Sequence, residues 1–288
     1  MAEILKGAPV AAAITESLTV RAADLRAKGI IPTLAVVRIG EREDDLSYEN
    51  AARKRCEKIG IAFRRYVLPE DCTKVQLLDV IDDINGDDGI HGCLLFRPLP
   101  DREMERAACE WLCPEKDVDG MTDGSLAGVF TGRDVGFAPC TAQACVEILH
   151  HYGVMLEGRR AVVIGRSLVI GRPVSMMLQQ QHATVTMCHS RTAELPAVCR
   201  QAEVLIAAAG KAGTVTAEYT VPGQVVVDVG IHVKEDGTLC GDVDYASVEP
   251  LVSAITPVPG GVGSVTTAVL CKHVLEAAER RAASCGRE

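Results

Sequence analysis

The chain has 288 residues, enough for one large domain or two ordinary ones with a sizeable core. Acidic residues outnumber basic ones by 39 to 30, and the formal net charge is −9 with the basic residues scattered, so we expect no nucleic-acid partner. No apolar run approaches the roughly 18 residues that a membrane span needs, so we expect a soluble, cytoplasmic protein.

The first half of the chain alternates strand-like and helical segments. Strand-like LAVVRI follows Thr33, a helix begins near Leu46, and AFRRYVL, the helical KVQLLDVIDDIN and strand-like GIHGCLLF come next. Strands that alternate with helices form parallel sheets, so this order predicts an α/β fold. Residues 98–139 are rich in Gly, Asp and Pro, and a region of this length is expected to be functional or to contain short helices.

The alternation resumes in the second half, after TAQACVEILHHYG, with RAVVIG, RPVSMMLQQQ, ATVTMC, EVLIAAAG and QVVVDVG. This pattern predicts a second α/β unit, and therefore two lobes. A final amphipathic helix is expected over residues 265–282. The 12 cysteines are irregularly spaced and include no C-x-x-C, so they predict reduced, buried thiols rather than disulfides or a metal site.

The segment AVVIGRSLVIGRPVSMML indicates a nucleotide site. It contains a buried-type strand, a turn that opens at Gly165, and a helix that starts near Gly171. Such a turn directs backbone N–H groups toward an anion. The full dinucleotide fingerprint has glycines where this chain has Ser167 and Ile170, so the motif alone leaves an ordinary glycine turn open.

The end of the following strand favours NADP over NAD. An NAD enzyme usually has a carboxylate there for the ribose hydroxyls, whereas TMCHSRT supplies His189, Ser190 and Arg191 and no acid. Cationic and hydroxyl donors suit a 2′-phosphate, and Arg166 from the glycine turn could join them. The alternative for Ser190 and Arg191 is a solvated turn that only starts the next helix.

Several separated segments resemble one family in order and spacing. They are PTLAVVRIG, CEKIGI, IHGCLLFRPLP, PEKDVDG, PCT, VVIGRSLVIGRP, ATVTMCHSRT, VVVDVGI and TPVPGGVGSVTTAVL. Together they resemble the methylenetetrahydrofolate dehydrogenase/methenyltetrahydrofolate cyclohydrolase family over nearly the whole chain. The resemblance implies a folate-binding catalytic lobe over residues 1–140, completed by the C-terminal helix at about 265–288. It also implies a Rossmann-like NADP lobe over 141–264, a cleft between the lobes, and a homodimer.

The resemblance also implies roles for individual residues. Tyr48 corresponds to the tyrosine that stacks against the pterin, and Asp119, the second acid of DVDG, to the carboxylate that binds the pterin edge. The loop that closes on the substrate corresponds to Pro259, Gly260 and Gly261. The cofactor positions are Gly165, Arg166, Ser167, Ser190, Ile231 and Thr266, with Arg191 added from its chemistry. Taken singly, these residues also fit a plain helix aromatic, solvated loop acids and ordinary turns.

Two departures from the family pattern remove functional groups. The family's catalytic lysine falls on Ala52, and the glutamine that pairs with it falls on Phe96. Glu49, expected to be a solvated helix carboxylate, is the best remaining candidate for proton exchange, and a local misalignment would give that role to Lys54. Four further departures, expected only to reshape loops, are Ala142, Ala144, Ser264 and Val265.

The sequence therefore predicts an NADP-dependent 5,10-methylenetetrahydrofolate dehydrogenase with weak or absent cyclohydrolase activity. Departure of a hydride from the one-carbon bridge releases no proton, so positioning by Tyr48 and Asp119 matters more than a side-chain base. Two alternatives stay open. One is a bifunctional dehydrogenase/cyclohydrolase, and the other is a protein that binds folate and NADP without turnover.

Overall fold

The computed structural model describes residues 1–285 and divides into two compact units. The three-stranded unit comprises Ala13–Cys140 and the chain from Thr267 onward, and the six-stranded unit comprises Met1–Ala12 and Thr141–Thr266. The first twelve residues, which the resemblance assigns to the folate lobe, thus group with the six-stranded unit. The reason is that strand β1 (Glu3–Ile4) pairs in parallel with β11 (Ala254–Ile255).

The three-stranded unit is built on a parallel sheet. Its strands are β2 (Thr33–Ile39), β3 (Ala62–Leu68) and β4 (Gly92–Leu95), in the order β3-β2-β4. Every residue of the central strand β2 is buried, as expected for a strand covered on both faces. The predicted α/β fold is confirmed here; β3 and β4 lie within the segments that predicted them, and β2 starts one residue before its segment.

Helices cover this sheet. They are α1 (Gly7–Ala27), α2 (Glu43–Ile59), α3 (Lys74–Gly86), α4 (Arg102–Trp111), α5 (Asp123–Thr131) and α10 (Thr266–Cys285). Helix α2 starts three residues before the predicted Leu46, and Gly60 caps its C-terminus with a left-handed φ of 96°, which suits glycine. Residues 98–139 contain α4, α5 and a 3₁₀ turn at Pro114–Lys116, in agreement with the expectation of short helices.

The six-stranded unit has a parallel sheet in the order β1-β11-β8-β7-β5-β6. The remaining strands of this sheet are β5 (Arg160–Ile164), β6 (Thr184–Cys188), β7 (Val204–Ala207) and β8 (Val225–Asp228). A small antiparallel pair is formed by β9 (His232–Val233) and β10 (Leu239–Cys240). The helices are α6 (Cys140–His151), α7 (Gly171–Gln180), α8 (Leu195–Cys199) and α9 (Tyr245–Val248).

The strand order of this sheet locates its binding edge. The chain runs from β5 to β6 on one side and then returns to β7 on the other side of β5. Ligands of open α/β sheets bind beyond the carboxyl ends of the strands at such a reversal. The Gly165 turn follows β5 directly, so it lies at this reversal, while β6 forms one edge of the sheet.

The described residues form neither a membrane-spanning helix nor a metal-binding cluster. No helix there is long and apolar enough to span a membrane. No cluster of three or more His, Cys, Asp or Glu side chains within residues 1–285 could hold a metal ion.

Candidate active site

The turn after β5 has a geometry that only glycine can adopt. Gly165 has a φ of 127°, and a Cβ at this position would overlap the carbonyl oxygen of Ala208. The hydroxyl of Ser167 accepts hydrogen bonds from the backbone N–H groups of Ile170 at 3.1 Å and Gly171 at 3.5 Å. Ser167 thus closes the turn at a place where the full dinucleotide fingerprint has a glycine.

The polar residues predicted to bind a 2′-phosphate lie at the ends of neighbouring strands. Ile164 of β5 pairs with Cys188 of β6, so Arg166 and the pair Ser190–Arg191 follow adjacent strands at the same edge of the sheet. All three of these side chains are exposed. Among the described residues neither guanidinium forms an ion pair, so both positive charges are available to an anionic ligand.

A cavity of about 170 Å³ lies beside the carboxyl end of β8, within the six-stranded unit. Its lining includes the predicted site residues Ile231, Pro259, Gly260 and Gly261. Thr266, which the resemblance also assigns to the cofactor, is not among the lining residues. It is buried, and its hydroxyl donates to the carbonyl of Gly263 at 3.2 Å.

Two buried aspartates that the sequence did not single out support this cavity. Asp228 accepts three backbone N–H groups, including that of Gly230 at 3.0 Å, and burial raises its pKa to about 6. Asp242 accepts the backbone N–H of Gly210 at 2.9 Å and Nε2–H of His232 at 2.7 Å. An acid at the end of the apolar run VVVDVG was the one available signal in the sequence.

In the three-stranded unit, one face of α2 contains Tyr48, Ala52 and Cys56, which are spaced four residues apart. The ring of Tyr48 meets the ring of Phe96 edge to face, with centroids 6.0 Å apart and an interplanar angle of 85°. Ala52 is 0% exposed. The thiol of Cys56 lies 3.7 Å from that of Cys271, and this contact together with burial raises the Cys56 pKa. Neither Ala52 nor Cys56 therefore exchanges protons near neutral pH.

The two candidates for replacing the missing lysine are not placed for that role. Glu49 is buried rather than solvated, and Arg38 Nε donates to its Oε2 at 2.8 Å. Arg65 lies 3.6 Å from its other oxygen. Lys54 is exposed, and helix geometry turns it about 160° away from Ala52 and about 120° away from Tyr48. The expectation of a solvated Glu49 was wrong, because the buried guanidinium of Arg38 holds it inside the unit.

The two acids of DVDG differ in environment. Asp117 is 0% exposed, and its carboxylate accepts the backbone N–H groups of Met121 at 3.0 Å and Thr122 at 2.7 Å, so it fixes the loop. Asp119 is half-buried, and its carboxylate accepts no backbone N–H group from the described residues. Burial raises the pKa of Asp119 to about 6, while the positive charge of Arg97 opposes that rise.

Two neighbours of Asp119 were missed by the sequence reasoning. Arg97 follows Phe96 at the end of β4, and it is the one charged residue in CLLFRPLP, which was a usable signal. The Cys140 thiol hydrogen-bonds to the Asp119 carboxyl and also lies 3.3 Å from the carbonyl of Val118. No feature of the local sequence marked Cys140 for this contact.

The glycine turn at the reversal point and the exposed cations beside it define a dinucleotide-binding α/β protein. The chain belongs to the tetrahydrofolate dehydrogenase/cyclohydrolase family. Residues 5–119 match the catalytic domain of that family, and residues 139–282 match its NAD(P)-binding domain.

Relatives and solved structures agree with this assignment. The chain is 53% identical over 281 residues to the bifunctional protein FolD of Carboxydothermus hydrogenoformans, which covers 97% of this chain and 98% of that protein. The FolD crystal structure from Campylobacter jejuni has a TM-score of 0.94 at 38% identity, covering 98% of this chain and 100% of that one. The Trypanosoma brucei FolD structure, complexed with NADP and an inhibitor, has a TM-score of 0.90 at 34% identity, covering 97% and 98%.

Proposed function

We propose that this protein is an NADP-dependent 5,10-methylenetetrahydrofolate dehydrogenase with weak or absent cyclohydrolase activity. Membership of the family supports the dehydrogenase reaction. One observation carries the proposed weakness of the cyclohydrolase. Ala52 is fully buried on the helix face of Tyr48, and the apolar ring of Phe96 packs against that tyrosine.

The residues after β5 and β6 fit the cofactor. The Gly165 turn offers close backbone approach for the pyrophosphate, and Arg166, Ser190 and Arg191 would hold the 2′-phosphate. The Trypanosoma brucei relative complexed with NADP supports this choice over NAD. When bound, NADP+ supplies the acceptor for the hydride.

In the three-stranded unit the chain's task is to hold the folate. Tyr48 would stack on the pterin, and the Asp119 carboxylate would accept hydrogen bonds from its amide-like edge. Hydride transfer from the methylene bridge gives the 5,10-methenyl cation and releases no proton. The dehydrogenase reaction therefore needs correct positioning and no side-chain base.

The cyclohydrolase reaction makes a different demand. Hydrolysis of the methenyl cation needs a water activated at the bridge carbon and a proton delivered to a ring nitrogen. Ala52 and Phe96 have no exchangeable proton on their side chains. Glu49 is engaged by Arg38 and Arg65, and the pKa of Cys56 is raised, so neither supplies the missing group.

The relatives favour a second candidate function. Proteins 53% and 51% identical to this chain are named bifunctional, so a dehydrogenase/cyclohydrolase is the alternative that an assay must separate. Cyclohydrolase activity would then need a proton-exchanging group that lies elsewhere than at positions 52 and 96.

Two assays on one purified sample test the proposal. The dehydrogenase is followed by NADPH absorbance with methylenetetrahydrofolate, and the hydrolase by loss of methenyltetrahydrofolate absorbance above the spontaneous rate. We expect NADPH formation with hydrolysis close to the spontaneous rate. Hydrolysis as fast as hydride transfer would establish the bifunctional alternative, and absence of NADPH formation would indicate a binding protein without turnover.

A gain-of-function pair sharpens the test. The double variant Ala52→Lys, Phe96→Gln restores both family side chains, and we expect hydrolysis to rise above the spontaneous rate. Ala51→Lys with Phe96→Gln is the matched control, because Ala51 is the exposed neighbour of Ala52 on the same helix. Equal hydrolysis by both variants would show that position 52 is not the site of the missing group.

A further inference from the structure

The three-stranded unit contains a second cavity, with a volume of about 530 Å³. It lies at the amino-terminal ends of the strands, where Thr33 starts β2, Ala62 starts β3 and His91 precedes β4. Phe96 follows the opposite end of β4, roughly 16 Å away along an extended chain. The cavity is therefore distinct from the Tyr48–Phe96 site, and its volume is typical of a small-molecule site.

A buried histidine presents a hydrogen-bond donor to this cavity. His91 is 7% exposed, and its Nδ1 accepts the backbone N–H of Thr33 at 3.3 Å. In the neutral ring that leaves the proton on Nε2. Burial lowers the His91 pKa, with the charges of Arg281 and Lys116 adding to that effect, so the ring is neutral at pH 7.

The Nε2–H group of His91 has no protein acceptor in the described part of the chain. No fully buried side-chain nitrogen or oxygen among the described residues lacks a partner. Since no partner of Nε2 exists there, that atom must reach open space, and the cavity is the space that His91 lines. A ligand oxygen placed in the cavity would supply the missing acceptor.

The charges around the cavity favour a single negative charge. Arg64 pairs with Asp87 at 2.5 Å, and Arg281 pairs with Asp88. Both arginines line the cavity, and Lys116 donates to the backbone carbonyl of Asp87 at 2.7 Å. Among the described residues that line the cavity, Arg64 and Arg281 against Asp88 leave one positive charge in excess, while Asp87 and Asp88 would repel a ligand with two negative charges.

The remaining walls are apolar or small. They are formed by Gly29, Ile30, Ile31, Gly89, Ala278 and Ala282. We propose that this cavity is a binding site for a small monocarboxylate with an apolar body, whose carboxylate meets Nε2–H of His91 and the guanidinium of Arg281. The body of the ligand packs on the wall between the start of β2 and helix α10.

Benzoate is the probe, and benzamide is its neutral analogue of nearly the same shape. Binding is measured by saturation-transfer NMR on the full chain with saturating NADP and tetrahydrofolate, so that the sites for cofactor and folate are filled. We expect saturable benzoate binding and benzamide at least about tenfold weaker, because a charge-assisted hydrogen bond contributes about one such factor. Equal binding of the two probes would overturn the proposal, as would the absence of saturable benzoate binding.

Variants assign the binding to this cavity. Arg281→Ala should weaken benzoate about tenfold, and Ala282→Phe, which fills the space, should abolish it. Arg106→Ala is the matched control, because Arg106 is an exposed arginine on α4 outside the cavity. Inorganic phosphate at equal concentration should not displace benzoate. Displacement by phosphate, or unchanged affinity in both cavity variants, would refute the monocarboxylate site.

Discussion

Replacing Asp119 by asparagine should stabilise the three-stranded unit at neutral pH. Burial raises the pKa of Asp119 from 3.8 to about 6. A carboxyl whose pKa is higher in the folded than in the unfolded chain destabilises the folded state once it is ionised. From these two values the penalty is about 3 kcal/mol at pH 7, about half of that at pH 5, and close to zero below pH 4. Asp119→Asn removes the charge while keeping the shape.

Trp111 allows the stability of the three-stranded unit to be measured separately. It is the sole tryptophan of the chain and lies in α4 of the three-stranded unit, so its fluorescence in urea reports that unit's unfolding. We expect Asp119→Asn to raise the free energy of unfolding by up to about 3 kcal/mol at pH 7, with the gain shrinking as the pH falls from 6 to 4. Asp79→Asn, at an exposed carboxylate on α3, is the matched control and should show no comparable change.

The same substitution should impair the proposed function. If the ionised Asp119 binds the pterin edge, the wild-type KM for methylenetetrahydrofolate should rise about tenfold between pH 7 and pH 5, as the carboxylate is protonated through a pKa of about 6. Asp119→Asn should raise KM at pH 7 and remove that pH dependence. A stability gain that does not change between pH 7 and pH 4 would refute the reasoning, since the penalty would then not arise from the buried charge.

Two further predictions concern the six-stranded unit. Combining Arg166→Ala with Arg191→Ala should raise the KM for NADP at least about tenfold and leave the KM for NAD nearly unchanged, because only NADP has the 2′-phosphate. An equal rise in both KM values would count against the assignment of these arginines to the 2′-phosphate. We also expect a homodimer, because β6 is an edge strand, with Met187 37% exposed, and an edge strand can pair with a second copy of the chain. Sedimentation at micromolar concentration should give twice the chain mass, and a persistent monomer would contradict this prediction.

The local sequence pattern was sufficient to predict the strands and the glycine turn at the cofactor site. Buried runs such as LAVVRI and RAVVI predicted β2 and β5, and adjacent parallel strands end at one edge of a sheet, so Arg166 and Ser190 had to be neighbours. The pairing of β1 with β11 was out of reach, because it joins two-residue strands some 250 positions apart in sequence.

The surroundings of Glu49 and Asp119 could not be predicted from the sequence either. Glu49 appeared solvated from its helix position alone, and only the fold reveals that Arg38, on β2, points at it. The raised pKa of Asp119 depends on burial and on Arg97, which reaches it from a different segment of the chain. Charge environments set by long-range contacts cannot be derived from the spacing of residues along one helix or loop.

The replacements at positions 52 and 96 are best understood as one coupled change. A lysine introduced at the fully buried Ala52 would place an ammonium on the helix face of Tyr48, against whose ring Phe96 packs, and a buried charge without a partner costs several kcal/mol. Phe96→Gln supplies an amide oxygen that can accept from that ammonium, although it removes the edge-to-face contact with Tyr48. Each single variant should therefore lower the free energy of unfolding of the three-stranded unit. The loss in the double variant should be smaller than the sum of the two single losses by about 1 kcal/mol or more, as followed by Trp111 fluorescence in urea. Additive losses would mean that the two positions do not interact, and the absence of lysine and glutamine would then have to be explained separately at each.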